Sequence, residues 1–281
     1  MPREGSTSRE SFYRTLTAAI ADFADNGFDS LAQLGYWLGR IRKAAADSLV
    51  PEAMLEAELR KALQTVYMRE VDRGLILKRH LGVARFQLER VKPRLRGELD
   101  RRIMASASLI KLNRQQAVET TIRRFSGWAT SIPAGGSEAV KKGETKAEIR
   151  KALAQLPYEE RRVAIDQGQK FNAALNNILA TDNGALAFRW HSKWRQSGYH
   201  YRPDHKERDE HIYTIRGSWA LDQGLIKVGE AGYSDQITAP AEEVFCGCKA
   251  QYLYHLRDLP PGMLTEKGRG ALAQAKASIA A

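Results

Sequence analysis

The sequence predicts an α+β protein with a mostly helical N-terminal half and a small mixed α/β C-terminal domain that contains short strands. Two changes in pattern lead to this fold class. From about residue 11 to residue 127 the apolar residues recur with helical spacing, whereas after Gly184 they alternate with smaller or polar residues. Because 281 residues exceed the usual size of a single domain, we expect two units or one elongated molecule.

Apolar residues in the N-terminal half mark several helices. One predicted helix carries leucine and isoleucine at i, i+3, i+7 and i+10 on a single face, at Leu31, Leu34, Leu38 and Ile41. Pro51 is placed to open the next helix. A later helical or mixed stretch reaches Pro93, which we expect to kink or break it, and a long helical segment then runs from about residue 98 to residue 125.

A segment rich in glycine and proline, "SGWATSIPAGGSEAVKKGETK", interrupts this pattern and is the best candidate for a hinge. The predicted organisation is therefore consecutive. Residues 1–127 form a helical domain, 128–148 a linker or hinge, 149–260 a C-terminal domain and 261–281 a tail. We expect the tail to be a weakly packed helix or an extended arm.

The C-terminal domain is predicted to begin with helices and to end with strands. "KAEIRKALAQL" and "YEERRVAIDQGQKFNAALNNILA" indicate two helices, the second ended by a turn at Gly184. Three later stretches are more typical of strands, namely "ALAFRWHSKW", "HIYTIRGSWAL" and "CKAQYLYHL".

The chain is basic, with a formal net charge of +11, and its positive charge is concentrated. Between Arg69 and Arg102 there are eleven basic and five acidic residues. Such a stripe suits nucleic acid, through phosphate contacts that do not read sequence, or an acidic protein surface; the plain alternative is a solvated helical face. The candidate contact residues are Arg69, Arg73, Lys78, Arg79, Arg85, Arg90, Lys92, Arg94 and Arg96.

No run of about 18 apolar residues is present, so we expect no membrane span. The N-terminus "MPREGSTSRESFYR" has no apolar core of the kind that secretory signal peptides carry. We therefore expect synthesis and assembly in the cytoplasm.

Two cysteines, Cys246 and Cys248, are the only ones in the chain, and they are separated by a single glycine. In an extended segment residues i and i+2 point to the same face, so both sulfurs can reach one point. Zinc accepts cysteine sulfur and histidine nitrogen in a tetrahedron. The stretch "RPDHKERDEH" offers His205 and His211 as further ligands and Asp209 as an oxygen alternative. These five residues form the candidate zinc site.

A second interpretation of the same residues involves no metal. The cysteines could be a reduced pair packed as small apolar side chains, with His205 hydrogen-bonded to Asp209. The sequence leaves both interpretations open.

Acid–base catalysis is a third interpretation, because a histidine can move a proton near neutral pH. However, no glycine-rich phosphate loop, nucleophile elbow or His-Glu-x-x-His helix is present. We therefore predict that the protein is not an enzyme and has no small-molecule substrate. A metal-dependent nuclease of the HNH type, which would join Asp204 and His205 to the basic stripe, is the specific enzyme that competes with this prediction.

Five segments of the C-terminal half occur in a distinctive order: "RRVAIDQGQKFNAALN", "FRWHSKW", "RPDHKERD", "GSWALDQGLI" and "AEEVFCGCKAQYLY". Within them an Arg-x-x-His-x-x-x-Asp element lies at Arg202, His205 and Asp209, and Cys-x-Cys closes the series. This order resembles the phage head-morphogenesis family, the Mu F-like group of minor head proteins. The resemblance covers about residues 158–260.

The resemblance implies a virion structural protein that acts in head assembly without turnover. Its C-terminal region would be the head-morphogenesis domain, and its partners would be the portal protein or the major capsid protein, with packaged double-stranded DNA as a further contact. It implies a location at the portal vertex or in the capsid interior, after assembly in the host cytoplasm. A DNA-binding internal protein that is ejected with the genome is the alternative within the same class.

Overall fold

The computed structural model of the chain describes residues 4–137 and 143–280. It confirms the predicted α+β class, with helices through the N-terminal half and a small three-stranded sheet near the C-terminus. The long helices are α1 (Glu4–Asn26), α2 (Leu31–Asp47), α3 (Glu52–Tyr67), α4 (Arg85–Ala129) and α5 (Gly143–Asp182). After them come β1 (Ala187–His191), α6 (Pro203–Glu207), β2 (Ile212–Thr214), α7 (Trp219–Asp222), β3 (Lys249–Leu253) and α8 (Glu266–Ala280).

Local sequence sets several helix ends. Ser30 caps α2, because its side chain accepts a hydrogen bond of 3.1 Å from the backbone N–H of Gln33. Gly184 follows α5 with a φ of 75°, a left-handed conformation that favours glycine and that ends the helix where the sequence predicts. Of the predicted α2 face, Leu34 and Ile41 are buried, whereas Leu31 is exposed because it is the first residue after the cap.

Two prolines lie inside helices, contrary to the sequence prediction. Pro93 does not break its helix, since α4 runs on without interruption to Ala129. The two helices predicted between residues 146 and 180 are one helix, α5, which contains Pro157. A proline removes one backbone hydrogen bond from a helix. Buried side chains on both sides of Pro93, such as Leu88 and Leu95, supply packing that offsets this loss.

The chain forms two compact units, each built from two separate stretches. The first unit contains residues 1–60 and 104–164, and the second contains residues 61–103 and 165–281. This arrangement differs from the consecutive domains that the sequence suggested. Helix α4 has 45 residues and is therefore about 68 Å long. A single hydrophobic core is shorter than this, and the two ends of α4 belong to different units.

Aromatic side chains fill the core of the first unit. Phe12 and Phe23 of α1 are buried with Ile41 of α2 and Phe125 of α4. The rings of Phe23 and Phe125 meet edge to face at 5.7 Å between centroids, an arrangement that aromatic pairs prefer. In this unit, residues that recur with helical spacing in the sequence are therefore buried in the core.

The described part of the predicted linker is bonded to α1. The backbone N–H of Gly135 donates to the carbonyl of Asn26, and that of Ser137 donates to the carbonyl of Ala24 at 2.9 Å. Residues 138–142 of the predicted linker lie outside the described residues, and α5 begins at Gly143. The glycines at 135 and 136 both have positive φ, which explains why the segment is rich in glycine.

The second unit contains an antiparallel sheet in the order β2-β1-β3. Phe188 of β1 pairs with Tyr213 of β2 on one side and with Tyr252 of β3 on the other. Two clusters of buried side chains accompany the sheet. The first cluster contains Phe188, Trp190, Tyr213 and both cysteines. The second contains Leu186, Ala187 and Leu253 together with apolar residues between positions 220 and 264. The three strand predictions are thus confirmed.

None of the helices in the described ranges combines the length and the apolar character that a membrane span requires.

The predicted C-terminal tail is helical from Glu266 and is docked by its first turn. A Cβ atom added at Gly268 would lie 2.0 Å from the carbonyl oxygen of Leu225, so the helix can approach that loop only because residue 268 is glycine. Ala271 and Leu272 pack against the buried Leu264 and its neighbours. Residues 273–278 of α8 are exposed.

Two glycines two positions apart in α8 test this docking. We expect Gly268→Ala to lower the free energy of unfolding by about 1–3 kcal/mol, because the added methyl group overlaps the Leu225 backbone. The matched control is Gly270→Ala, where nothing lies within 4 Å of the added Cβ and alanine favours the helix by about 1 kcal/mol. Urea unfolding of both variants measures the difference; equal stabilities would contradict the docking.

Candidate metal centre

Three residues from distant parts of the second unit meet at one point. The Nδ1 atom of His205 lies 3.5 Å from the sulfur of Cys246 and 3.5 Å from the sulfur of Cys248. All three side chains are buried, with exposures of 2%, 1% and 3%. Two thiols and an imidazole at this spacing form a group that could hold a metal ion.

Each ligand is carried by a short element with a recognisable local cause. His205 lies in α6, a single helical turn that Pro203 opens at its first positions. The two cysteines close a loop, Glu243–Cys248, which we call the cysteine loop and which leads directly into β3. The ring of Trp190, a buried residue of β1, meets the His205 ring edge to face at 5.2 Å.

The backbone of the cysteine loop is held from three directions. Asp166 of α5 accepts a hydrogen bond of 2.6 Å from the N–H of Phe245. The hydroxyl of Tyr199 accepts a bond of 2.8 Å from the N–H of Gly247, and the guanidinium of Arg202 donates to the carbonyl of Val244 at 2.9 Å. Phe245 adopts a left-handed φ of 57°, which is strained for a residue with a side chain. These bonds stabilise that conformation, which turns the chain immediately before Cys246.

Glu243 orients the histidine. Its carboxylate lies 3.3 Å from Nε2 of His205 and also accepts bonds from Thr238 and Arg202. A carboxylate on Nε2 favours the N–H on that nitrogen, which leaves the lone pair of Nδ1 directed at the sulfurs. Burial opposes ionisation of Glu243, but the hydrogen bonds from Thr238 and His205 outweigh it and lower its pKa.

The two thiols differ in acidity. A hydrogen bond from the Cys248 thiol lowers the pKa of Cys246 to about 5, against the effect of burial. The same bond, together with burial, raises the pKa of Cys248 above its ordinary value. Cys246 is therefore the more readily ionised of the two sulfurs, and thiolate is the form that binds metals.

The other two predicted ligands are placed elsewhere. Asp209 accepts hydrogen bonds from the backbone N–H of Ser192 and from the side chains of Trp194 and Arg195, so both of its oxygens are used. Burial opposes ionisation of Asp209, but these bonds lower its pKa overall. The side chain of His211 is exposed and belongs to none of the candidate metal groups among the described residues.

The pairing of His205 with Asp209, expected if no metal is bound, is also not the one observed. The Nε2 atom of His205 is hydrogen-bonded to Glu243. Asp209 instead accepts a hydrogen bond from the backbone N–H of Ser192. Sequence reasoning missed Glu243, whose only signal was its position three residues before Cys246. Asp166 lies in the segment "RRVAIDQGQKFNAALN" that contributes to the family resemblance, but its contact with the cysteine loop was not predicted.

Most of the predicted basic stripe is engaged in ion pairs within the second unit. Glu70 pairs with Arg69 and Arg79, Glu89 with Arg85 and Lys92, Asp182 with Arg94, and Asp100 with Arg96. Arg73, Lys78 and Arg90 are exposed and form no ion pair with another residue of the described ranges. Of the nine predicted contact residues, these three are the ones whose charge no ion pair in the described part of the chain neutralises.

Comparison of the chain with protein-family models, with curated proteins and with solved structures finds no match.

Asp166 provides a test of how the cysteine loop is held. We expect Asp166→Ala to lower the free energy of unfolding by about 1–3 kcal/mol, because the N–H of Phe245 and the ammonium of Lys170 both lose their bond to the buried Asp166 carboxylate. Glu159→Ala, an exposed acid on the same helix, is the matched control and is expected to change stability by less than about 0.5 kcal/mol. Chemical denaturation distinguishes the two variants; a neutral Asp166→Ala would contradict the assigned role.

Proposed function

We propose that the chain is a minor head protein of a tailed bacteriophage and that a structural zinc ion holds its C-terminal docking module together. The protein assembles with a portal or capsid surface and catalyses no reaction. One observation carries the proposal: the motif residues His205, Cys246 and Cys248, which occur in the order typical of the head-morphogenesis family, converge within 3.5 Å.

Zinc is the metal that this donor set fits best. A tetrahedral zinc ion with bonds of about 2.3 Å to sulfur and about 2.0 Å to nitrogen places those two atoms about 3.5 Å apart. The two sulfur–nitrogen distances at His205 are both 3.5 Å. The Glu243 carboxylate behind His205 supplies the outer contact that metal-bound histidines usually have. The fourth position would be taken by water or another ligand from outside these three residues.

A structural role is favoured by what surrounds the cluster. Asp166, Tyr199 and Arg202 all bind backbone atoms of the cysteine loop, so they fix the path of the chain. Three of the sequence motifs are therefore in contact at the cysteine loop. They are the helix segment that contains Asp166, the Arg-x-x-His motif and the Cys-x-Cys motif. This mutual support is what a compact docking module needs, because its own hydrophobic core is small.

The unpaired side chains of Arg73, Lys78 and Arg90 support an additional contact with packaged DNA. Such contacts would be made to phosphates, and their affinity would fall as the salt concentration rises. An acidic patch on a portal surface would be attracted by the same charges.

Zinc analysis tests the structural part of the proposal. We expect about one zinc ion per purified chain, and we expect both Cys246→Ser and His205→Ala to lose it. Each variant should also unfold with a free energy lower by about 3 kcal/mol or more, because a structural metal contributes directly to folding. Elemental analysis and thermal unfolding with and without a chelator measure both effects.

His255→Ala is the matched control, since His255 is exposed and outside the cluster. It should keep the zinc and the stability of the wild-type chain. A wild-type protein that lacks zinc and is insensitive to chelator would instead support a reduced cysteine pair.

Incorporation into heads tests the biological part. We expect the wild-type chain to co-purify with heads of the phage that encodes it, and Cys246→Ser to be incorporated less, because an unfolded module cannot dock. Quantitative mass spectrometry of purified heads measures the ratio to the major capsid protein, with His255→Ala as control. Absence of the wild-type chain from heads, or metal-dependent cutting of plasmid DNA that His205→Ala abolishes, would contradict the proposal.

A further inference from the structure

A cavity of about 790 Å³ lies within the second unit, lined by α5, by the cysteine loop and by β3. Its volume falls in the range of about 300–1,000 Å³ that small-molecule sites occupy. Cys246, Gly247 and Cys248 form part of its wall, so the candidate metal centre and the cavity share one boundary. The basic stripe and the metal centre do not account for this space.

The charge of the cavity wall is strongly positive. Six cationic side chains line it against only two acidic ones. The cations are Arg79, Arg101, Arg102, Lys170, Lys193 and Lys249, and the acids are Asp235 and Glu242. Asp235 is itself paired with the guanidinium of Arg216, so Glu242 is the one acidic side chain of the lining that no ion pair neutralises within the described residues.

The cations divide into two groups. Arg79, Arg101, Arg102 and Lys170 are held in place by carboxylates that do not line the cavity, namely Glu70, Glu98 and Asp166. Lys193 and Lys249 make no ion pair with any residue in the described part of the chain. The stem of Lys193 crosses the face of Gly247, where an added Cβ would lie 2.7 Å from its Cδ atom. Two lysines of the wall are therefore free of any ion pair within the described part of the chain.

The rest of the lining offers neutral donors and aromatic surface. Gln169, Asn172 and Asn177 are among the lining residues, and so are Phe188 and Tyr252. Amide and ammonium donors together suit phosphate oxygens, and an aromatic ring suits the flat face of a base. A carboxylate ligand would use the cations but would have no need of the aromatic wall.

We propose that this cavity binds a phosphate ester of nucleotide size, with Lys193 and Lys249 as the main contacts to the phosphates. The phosphate can belong to a free nucleotide or to the end of a nucleic-acid strand, since both present the same chemistry. The inference does not rest on the proposed head function, because it uses only the cavity and its lining.

Binding of ATP to the full-length protein is the direct test, measured by isothermal titration calorimetry. We expect ATP to bind and adenosine not to bind. The Lys193→Gln and Lys249→Gln double variant should lower the affinity by about tenfold or more, because the charge-assisted hydrogen bonds to the phosphates are lost. Thermal unfolding of the double variant checks that it is folded.

The matched control is Lys227→Gln, which removes an exposed lysine of the same unit that does not line the cavity. Its affinity should stay within about twofold of wild type, since one distant exposed charge is largely screened by salt. A short single-stranded DNA with a 5′-phosphate is the second probe. Binding of that strand alone, weakened by the double variant and not by Lys227→Gln, would identify the strand end as the source of the phosphate.

Three results would overturn the inference. The first is no binding of either phosphate probe. The second is binding that the double variant leaves unchanged or that Lys227→Gln weakens equally. The third is citrate binding as tightly as ATP, because the cavity would then attract any polyanion and would not select phosphate esters.

Discussion

The conformation of the cysteine loop is the constraint on which the second unit depends. Both sulfurs reach His205 only because the backbone turns at Phe245, a residue that must adopt a left-handed φ. Such a conformation costs of the order of 1 kcal/mol or more for a residue with a side chain, so it persists only where the surroundings enforce it. Asp166 enforces it from α5, while Tyr199 and Arg202 hold the residues on either side. The helix and the strand region are thereby joined through one short loop.

Carboxylates in this unit act mainly as internal partners. Glu70, Glu98 and Asp166 are buried and each binds basic side chains, whereas Glu243 directs a histidine. Buried carboxylates need such partners, because an unpaired charge in the interior is costly. Four of the six cations that line the cavity are paired in this way, which leaves Lys193 and Lys249 as the two without an ion pair in the described part of the chain. The acidic residues thus decide which of the basic side chains are paired and which are not.

The zinc site, the head function and the phosphate site differ in what supports them. The zinc proposal rests on distances among three buried side chains, and the head function rests on a resemblance in the order of motifs. The phosphate proposal rests on a cavity and its charge. The phosphate site can therefore fail without affecting the other two, whereas the zinc site and the head function both use the convergence of His205, Cys246 and Cys248.

Much of the fold was predictable from local pattern. Helical periodicity identified the buried face of α2, alternation identified β1, and Gly184 marked the end of α5. At Pro93 the sequence predicted a kink or a break, and around Pro157 it predicted two separate helices. Helices α4 and α5 instead continue through these prolines, because packing along a long helix compensates for one missing hydrogen bond. The division into domains could not be read from consecutive segments, because a helix as long as α4 contributes to two cores.

The sequence by itself determined which residues could bind a metal. Its only two cysteines, Cys246 and Cys248, and the histidine of the Arg-x-x-His motif are residue types that bind zinc. Only the tertiary structure decided that Glu243 lies behind His205, that Asp209 braces another loop, and that Lys193 and Lys249 face a cavity. The physical reason is the distance along the sequence over which each kind of interaction acts. Secondary structure follows from neighbours a few residues apart, whereas the partner of a side chain depends on which distant segments the core brings together.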